Sequence, residues 1–157
     1  MPIRKFEKSD IKPLSELVHA TGVFRDEEVN VAIELMEIAA NDEKQKDYIL
    51  YTYLDDFGII QGYYCVGPTP MTKGTFDLYW IAVHPRMHRK KIGHDLIEHC
   101  EEQVKKLDGK LLVVETSSQP KYEPTRRFYI RHQYLETARI KNYYAHDDDL
   151  VIYTKYF

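Results

Sequence analysis

Apolar positions along the chain recur first at helical and then at strand spacing, and Pro, Gly, Asn and Asp mark the switches between the two periods. "PIRKF" reads as a short opening strand. Ser9 or Asp10 can cap a helix running to about Ala20, with Leu14, Leu17 and Val18 on its apolar side. In "DEEVNVAIELMEIAAND" acidic residues occupy the N-terminal turn that the helix dipole favours, Val29, Ile33, Met36 and Ala40 repeat at helical spacing, and Asn41 ends the helix. "DYILYTYLDDFGIIQGYYCVG" is two β-rich runs joined at Asp55 to Gly58 by a hairpin turn, with Gly67 and Pro68 closing the second. "FDLYWIAV" is a further strand. From about Lys90 to Leu107 a helix is expected, with Ile92, Leu96, Cys100, Val104 and Leu107 in one stripe and a stop at Asp108-Gly109.

"KLLVVETS" is nearly continuously apolar, the pattern of a central strand covered on both faces. Pro124 suits the first position of a short helix, "PTRRFYIRH", and two Tyr-rich strands, Gln133 to Tyr144 and Leu150 to Tyr156, close the chain around "AHDDD". These elements define a mixed α/β fold, with a mainly antiparallel sheet flanked by helices. No repeat, low-complexity tract or Gly/Ser linker divides the chain, so a single domain over residues 1–157 is expected.

Charge narrows the function classes. The formal net charge is −3, which argues against a general nucleic-acid or membrane-surface role. The N-terminus lacks the apolar core of a signal peptide and no apolar run approaches a span of roughly 20 residues, so the expected location is the cytoplasm. Two cysteines, Cys65 and Cys100, are too few for a disulfide framework or a thiolate metal site and read as buried thiols. Positive charge nevertheless gathers in "HPRMHRKKIGHDL", between a strand and a helix. A basic turn at a helix N-terminus, where backbone N–H groups and the dipole converge, is a site for a phosphorylated ligand.

That arrangement, with "PTRRFYIRHQY" after the apolar strand, resembles the GNAT superfamily of acetyl-CoA-dependent N-acetyltransferases over nearly the whole chain. The family signature Gln/Arg-x-x-Gly-x-Gly/Ala, whose amides hold the coenzyme A pyrophosphate, falls on His88, Arg89, Lys90, Lys91, Ile92 and Gly93. The second glycine is kept; His88 replaces the first signature residue and Lys91 the first glycine. Lys91 fits if its φ is negative and its side chain points away, since its amide is unchanged. The resemblance implies acetyl-CoA as co-substrate and no metal. It implies cofactor contacts from His88 through His94, and main-chain pairing of the pantetheine arm with Ile81, Ala82 and Val83. A β-branched residue at Gly93 is expected to stand between backbone and phosphate.

Acetyl transfer needs a neutral amine and a proton for the departing thiolate. Tyr129 matches the tyrosine of the family's "FY" motif, which protonates the thiolate, and Phe128 beside it points into the core. Glu115 ends an apolar run where an unpaired carboxylate is costly, so it is either a general base or a structural carboxylate held by amides or cations. Asp77 is a weaker rival base. Relatives place Asn where Tyr122 stands and Gly-Phe where Gln133-Tyr134 stand.

Three further signals point to packing or solvent. His84 and His88 are four apart, but Pro85 breaks the helix that would align them as metal ligands. Cys65 has no histidine partner, and "HDDD" reads as a solvated turn that could attract a cation. The acceptor, an amine-bearing small molecule or peptide N-terminus, is expected between Thr21 to Arg25 and Asn142 to Asp149. No nucleic-acid or membrane partner is expected, and homodimerisation, common in the family, stays open. A coenzyme-A-binding regulatory module without catalysis is the alternative to an enzyme.

Overall fold

The computed structural model describes residues 2–88 and 90–157. In chain order the elements are β1 (Ile3–Lys5), α1 (Ile11–Ala20), α2 (Asp26–Asn41), β2 (Ile49–Leu54), β3 (Ile60–Pro68), β4 (Thr75–Val83), α3 (Ile92–Lys106), β5 (Leu111–Ser117), α4 (Glu123–Arg131), β6 (Leu135–Ala145) and β7 (Asp148–Tyr156). They build a seven-stranded sheet in the order β1-β2-β3-β4-β5-β7-β6. Every neighbouring pair is antiparallel except β4 and β5, which run parallel because α3 carries the chain back across the sheet between them. The expected mixed, mainly antiparallel α/β architecture is the one observed.

Helices cover both faces, which is why the middle strands carry few polar residues. On β3 the alternation sends Tyr63 and Cys65 to one face, against Leu14, Val18, Val29 and Met36 of α1 and α2. Tyr64 and Val66 go to the other, against Ile92, Leu96, Cys100 and Val104 of α3. Asp10 does not cap α1 with its side chain. It is buried, takes two hydrogen bonds from Arg4 (2.8 and 2.9 Å) and accepts from the Glu7 N–H and the Thr52 hydroxyl at 2.9 Å each, tying β1 and β2 to the start of α1. Leu107 lies past the end of α3 and is 53% exposed, so Ile97 and Glu101 complete the buried side of the helix. Glu101 can sit there because Lys155 Nζ (2.9 Å) and the Tyr134 hydroxyl (2.8 Å) donate to it.

The feature that positions the site is a defect in the sheet. Cys65 pairs with Trp80 but Val66 pairs with Leu78, so Tyr79 is an extra residue that bulges and bends β4. Pairing between β4 and β5 runs from Thr75↔Leu111 to Leu78↔Val114 and stops there, although both strands continue. Beyond that point they diverge. Glu115 emerges exposed beside the gap, between the buried Val114 and Thr116, rather than in a closed sheet. No described helix is long and apolar enough to cross a membrane.

Candidate functional site

The diverging strands open a cavity of about 640 Å³ whose wall is built from Trp80 and Ile81 on one arm, Glu115 and Ser117 on the other, and Tyr129 of α4. Its volume is that of a small-molecule site. Beyond Leu78 the edge of β4 turned toward β5 pairs with no strand among the described residues. The His84 N–H donates to Gln61 O at 2.8 Å, so alternation turns the main chain of Ala82 and Trp80 toward β3 and that of Ile81 and Val83 toward the gap. Of the three strand residues expected to pair with a ligand, Ile81 and Val83 present their backbone. Ala82 is committed to the sheet, with its side chain buried under α1 and α2. Val83 O already accepts from His88 Nε2 at 2.9 Å.

Past β4, a 3-10 turn over Pro85–Met87 leads to the N-terminus of α3. Arg89, one of the expected phosphate ligands, lies outside the described residues. Lys90 and Lys91 are exposed beside the helix start, and the Ile92, Gly93 and His94 N–H groups precede the first intrahelical bond, Asp95 N–H to Lys91 O at 3.0 Å. Two expectations need correction here. Lys91 has φ +60°, not a negative value: the chain keeps the left-handed N-cap that a glycine would supply, and the lysine bears the strain. Gly93 does not face the open side of the loop. A Cβ there would lie 3.2 Å from Phe128 Cε2, so its glycine lets α3 pack closely on α4. His94 joins the same seam, its Nδ1 3.1 Å from His132 Nε2. These groups could hold a pyrophosphate by backbone and charge, and the free edge of β4 leads from them into the cavity.

Tyr129 is 4% exposed and lines the cavity, and its hydroxyl makes no hydrogen bond to another described residue. Burial, with a smaller contribution from Cys100, pushes its pKa up, so it holds its proton firmly. Glu115 keeps solvent contact but is crowded by the cavity walls. That partial desolvation, followed by the Asp77 carboxylate, raises its pKa above the usual value. The unpaired-carboxylate cost inferred from the apolar run thus comes from the cavity. Asp77 lines the same space and accepts from the Thr69 hydroxyl at 2.7 Å.

The far wall comes from the α1–α2 connection and the β6–β7 hairpin. Phe24 packs edge-on against Trp80, ring centres 4.8 Å apart, and tilts against Tyr122 at 6.4 Å, so it bridges the two arms of the gap. Of the expected acceptor segments, Phe24, Arg25, Tyr144, Ala145 and Asp148 line the cavity. His146 and Asp147 lie exposed at the hairpin tip, 3.3 Å from each other. Two wall residues were not legible as such. Glu28 reads in sequence as a helix-dipole acid, yet it accepts from the Arg25 N–H (3.0 Å) and the Tyr122 hydroxyl (3.3 Å). The signal that could have found it is its spacing three residues after the N-cap. Tyr122 reads only as a departure from asparagine. Elsewhere, His84 Nδ1 accepts from the Arg86 N–H, Cys65 is buried with its thiol pKa pushed up, and among the described residues no group of three or more His, Cys, Asp or Glu forms a metal set.

A family model described as an acetyltransferase (GNAT) domain matches residues 45–136. An acetyltransferase assigned to the GNAT family from Desulfovibrio desulfuricans is 37% identical, with a TM-score of 0.91 over 98% of this chain and 97% of that one. The chain belongs to the GNAT family of acetyltransferases. The ribosomal-protein-S18-alanine N-acetyltransferase of Escherichia coli shares the fold at 17% identity and TM-score 0.77, over 97% of this chain and 90% of that one. An aminoglycoside 6'-N-acetyltransferase complexed with coenzyme A does so at 18% and 0.78, over 99% and 97%. No curated protein matches the chain.

Proposed function

We propose that this protein transfers an acetyl group from acetyl-CoA directly to a primary amine, with both substrates bound together. The observation that carries the reading is that Tyr129, unpartnered and nearly buried, and Glu115, with a raised pKa, line one cavity that opens along the free edge of β4. In this scheme Glu115 takes one proton from the bound ammonium, directly or through water, and passes it to solvent. The freed amine attacks the thioester carbonyl, the C–N bond forms and the C–S bond breaks. Tyr129 gives its proton to the departing thiolate and recovers one from the acylated nitrogen, which keeps the third as an amide N–H. Backbone amides at the start of α3, with Lys90 and Lys91 beside them, would hold the pyrophosphate.

A regulatory module that binds coenzyme A without turnover shares the binding half of this reading, and two measurements separate them. Coenzyme A raises the melting temperature under either. Only the enzyme releases free thiol from acetyl-CoA when an amine is present. Release at the no-amine background across a broad amine and peptide set, with the thermal shift intact, would leave the module and remove the enzyme.

A further inference from the structure

The charges in the cavity are unevenly matched. Glu28 is paired with Arg25 (Nε to Oε1, 3.2 Å). Asp77, Glu115 and Asp148 line the same space with no cationic partner among the described residues: Asp77 accepts from Thr69, and Asp148 accepts from the Ser117 hydroxyl. The lysine in the lining, Lys121, has its Nζ over the Tyr122 ring at 5.6 Å. Negative charge is therefore in excess, and it is spread over three elements, β4, β5 and β7, rather than focused on one point. Tyr144, between the arms, registers it: its pKa is pushed up to about 12 by burial first, then by Glu115, Tyr143, Glu28 and Asp148. The unpartnered Tyr129 hydroxyl lies in the same lining, so the acidic surface is the wall of a reaction site and not a solvated face.

We propose that the acceptor is a small polycationic amine, one nitrogen reacting beside Glu115 and Tyr129 while a second ammonium is held by Asp148 on the hairpin wall. This rests on the acyl-transfer reading above and narrows it. A monoamine or a neutral peptide N-terminus brings one positive charge and leaves part of this acidic wall unmatched, whereas a di- or triamine neutralises two walls at once. Aliphatic polyamines and aminated sugars share this chemistry.

The test is kcat/KM for thiol release with 1,4-diaminobutane, spermidine, kanamycin, 1-aminobutane and an uncharged tetrapeptide with a free N-terminus. At least one polycation is expected to exceed 1-aminobutane and the peptide by roughly tenfold or more, the scale of one charge-assisted hydrogen bond; which of them does so separates the aliphatic from the sugar source. Asp148→Asn is expected to cut the ratio of that polycation to 1-aminobutane by roughly tenfold. Asp148 also braces Ser117, so a salt series on the unmodified protein supplies a second reading: the ratio is expected to fall between about 50 and about 500 mM salt as exposed parts of the site are screened. Equal or better turnover of 1-aminobutane or the peptide, with a ratio insensitive to salt, overturns the proposal and leaves acetyl transfer standing. Absence of thiol release with every amine removes both.

Discussion

At the scale of single residues, the departures from the family signature keep its backbone. Lys91 stands where the pattern has the first glycine and Gln133 where it has the glycine of Gly-Phe, and both hold left-handed φ, +60° and +70°. A non-glycine residue pays about 1–2 kcal/mol for that conformation, and glycine's extra freedom in the unfolded chain takes back about half. Lys91→Gly is therefore expected to raise the melting temperature by a few degrees and, because the backbone amides remain and one exposed charge is lost, to reduce the coenzyme-A-induced shift only slightly. A large loss of that shift would mean that the Lys91 side chain itself grips phosphate. Glu115 makes a different prediction. Because crowding and Asp77 raise its pKa, the acidic limb of the pH–rate profile is expected above the ordinary carboxylate range. Asp77→Asn removes a negative neighbour, lowers the Glu115 pKa and shifts that limb to lower pH. Glu115→Gln is expected to cost most at low pH, where the amine is protonated, and least at alkaline pH, where it is free without help. A limb that Asp77→Asn does not move separates the two carboxylates.

At the scale of elements, the seam between α3 and α4 links the turn at Lys91, proposed to hold the cofactor, to Tyr129, the proposed acid. Gly93 faces Phe128, and Phe128 precedes Tyr129. Gly93→Val pushes the ring outward at a cost of about 1–3 kcal/mol, typical of overpacking. The expected result is a melting temperature lower by several degrees and a fall in kcat that exceeds any loss of coenzyme A affinity. Loss of affinity alone, with kcat and stability kept, would return Gly93 to the phosphate side. The elements themselves were legible. The apolar and aromatic runs of β2 to β5 and the helical stripe of α3 depend on which faces are buried, and sequence periodicity reports that directly. The bulge at Tyr79 was not legible, because no Gly or Pro marks it and the extra residue shows only when β4 is paired with β3. The left-handed turn at Lys91 escaped for the same reason: its residue type gives no sign of it.

At the scale of the whole molecule, the site exists because β4–β5 pairing ends at Leu78↔Val114, next to the bulge at Tyr79, while both strands run on. Tyr129 and Glu115 were legible as candidates from their motif and strand context, but their meeting in one cavity depends on where β4–β5 pairing ends, which is a tertiary fact. Glu28 and Tyr122 enter the wall only because α2 and the turn before α4 close over that opening. The central claim is that Tyr129 supplies the proton that lets the thiolate leave, and the most direct test is single-turnover acetyl transfer by Tyr129→Phe. This change keeps the ring packing and deletes the hydroxyl. With the melting temperature and the coenzyme A shift close to those of the unmodified protein, the transfer rate is predicted to fall by on the order of 10²-fold; an unchanged rate would contradict the account.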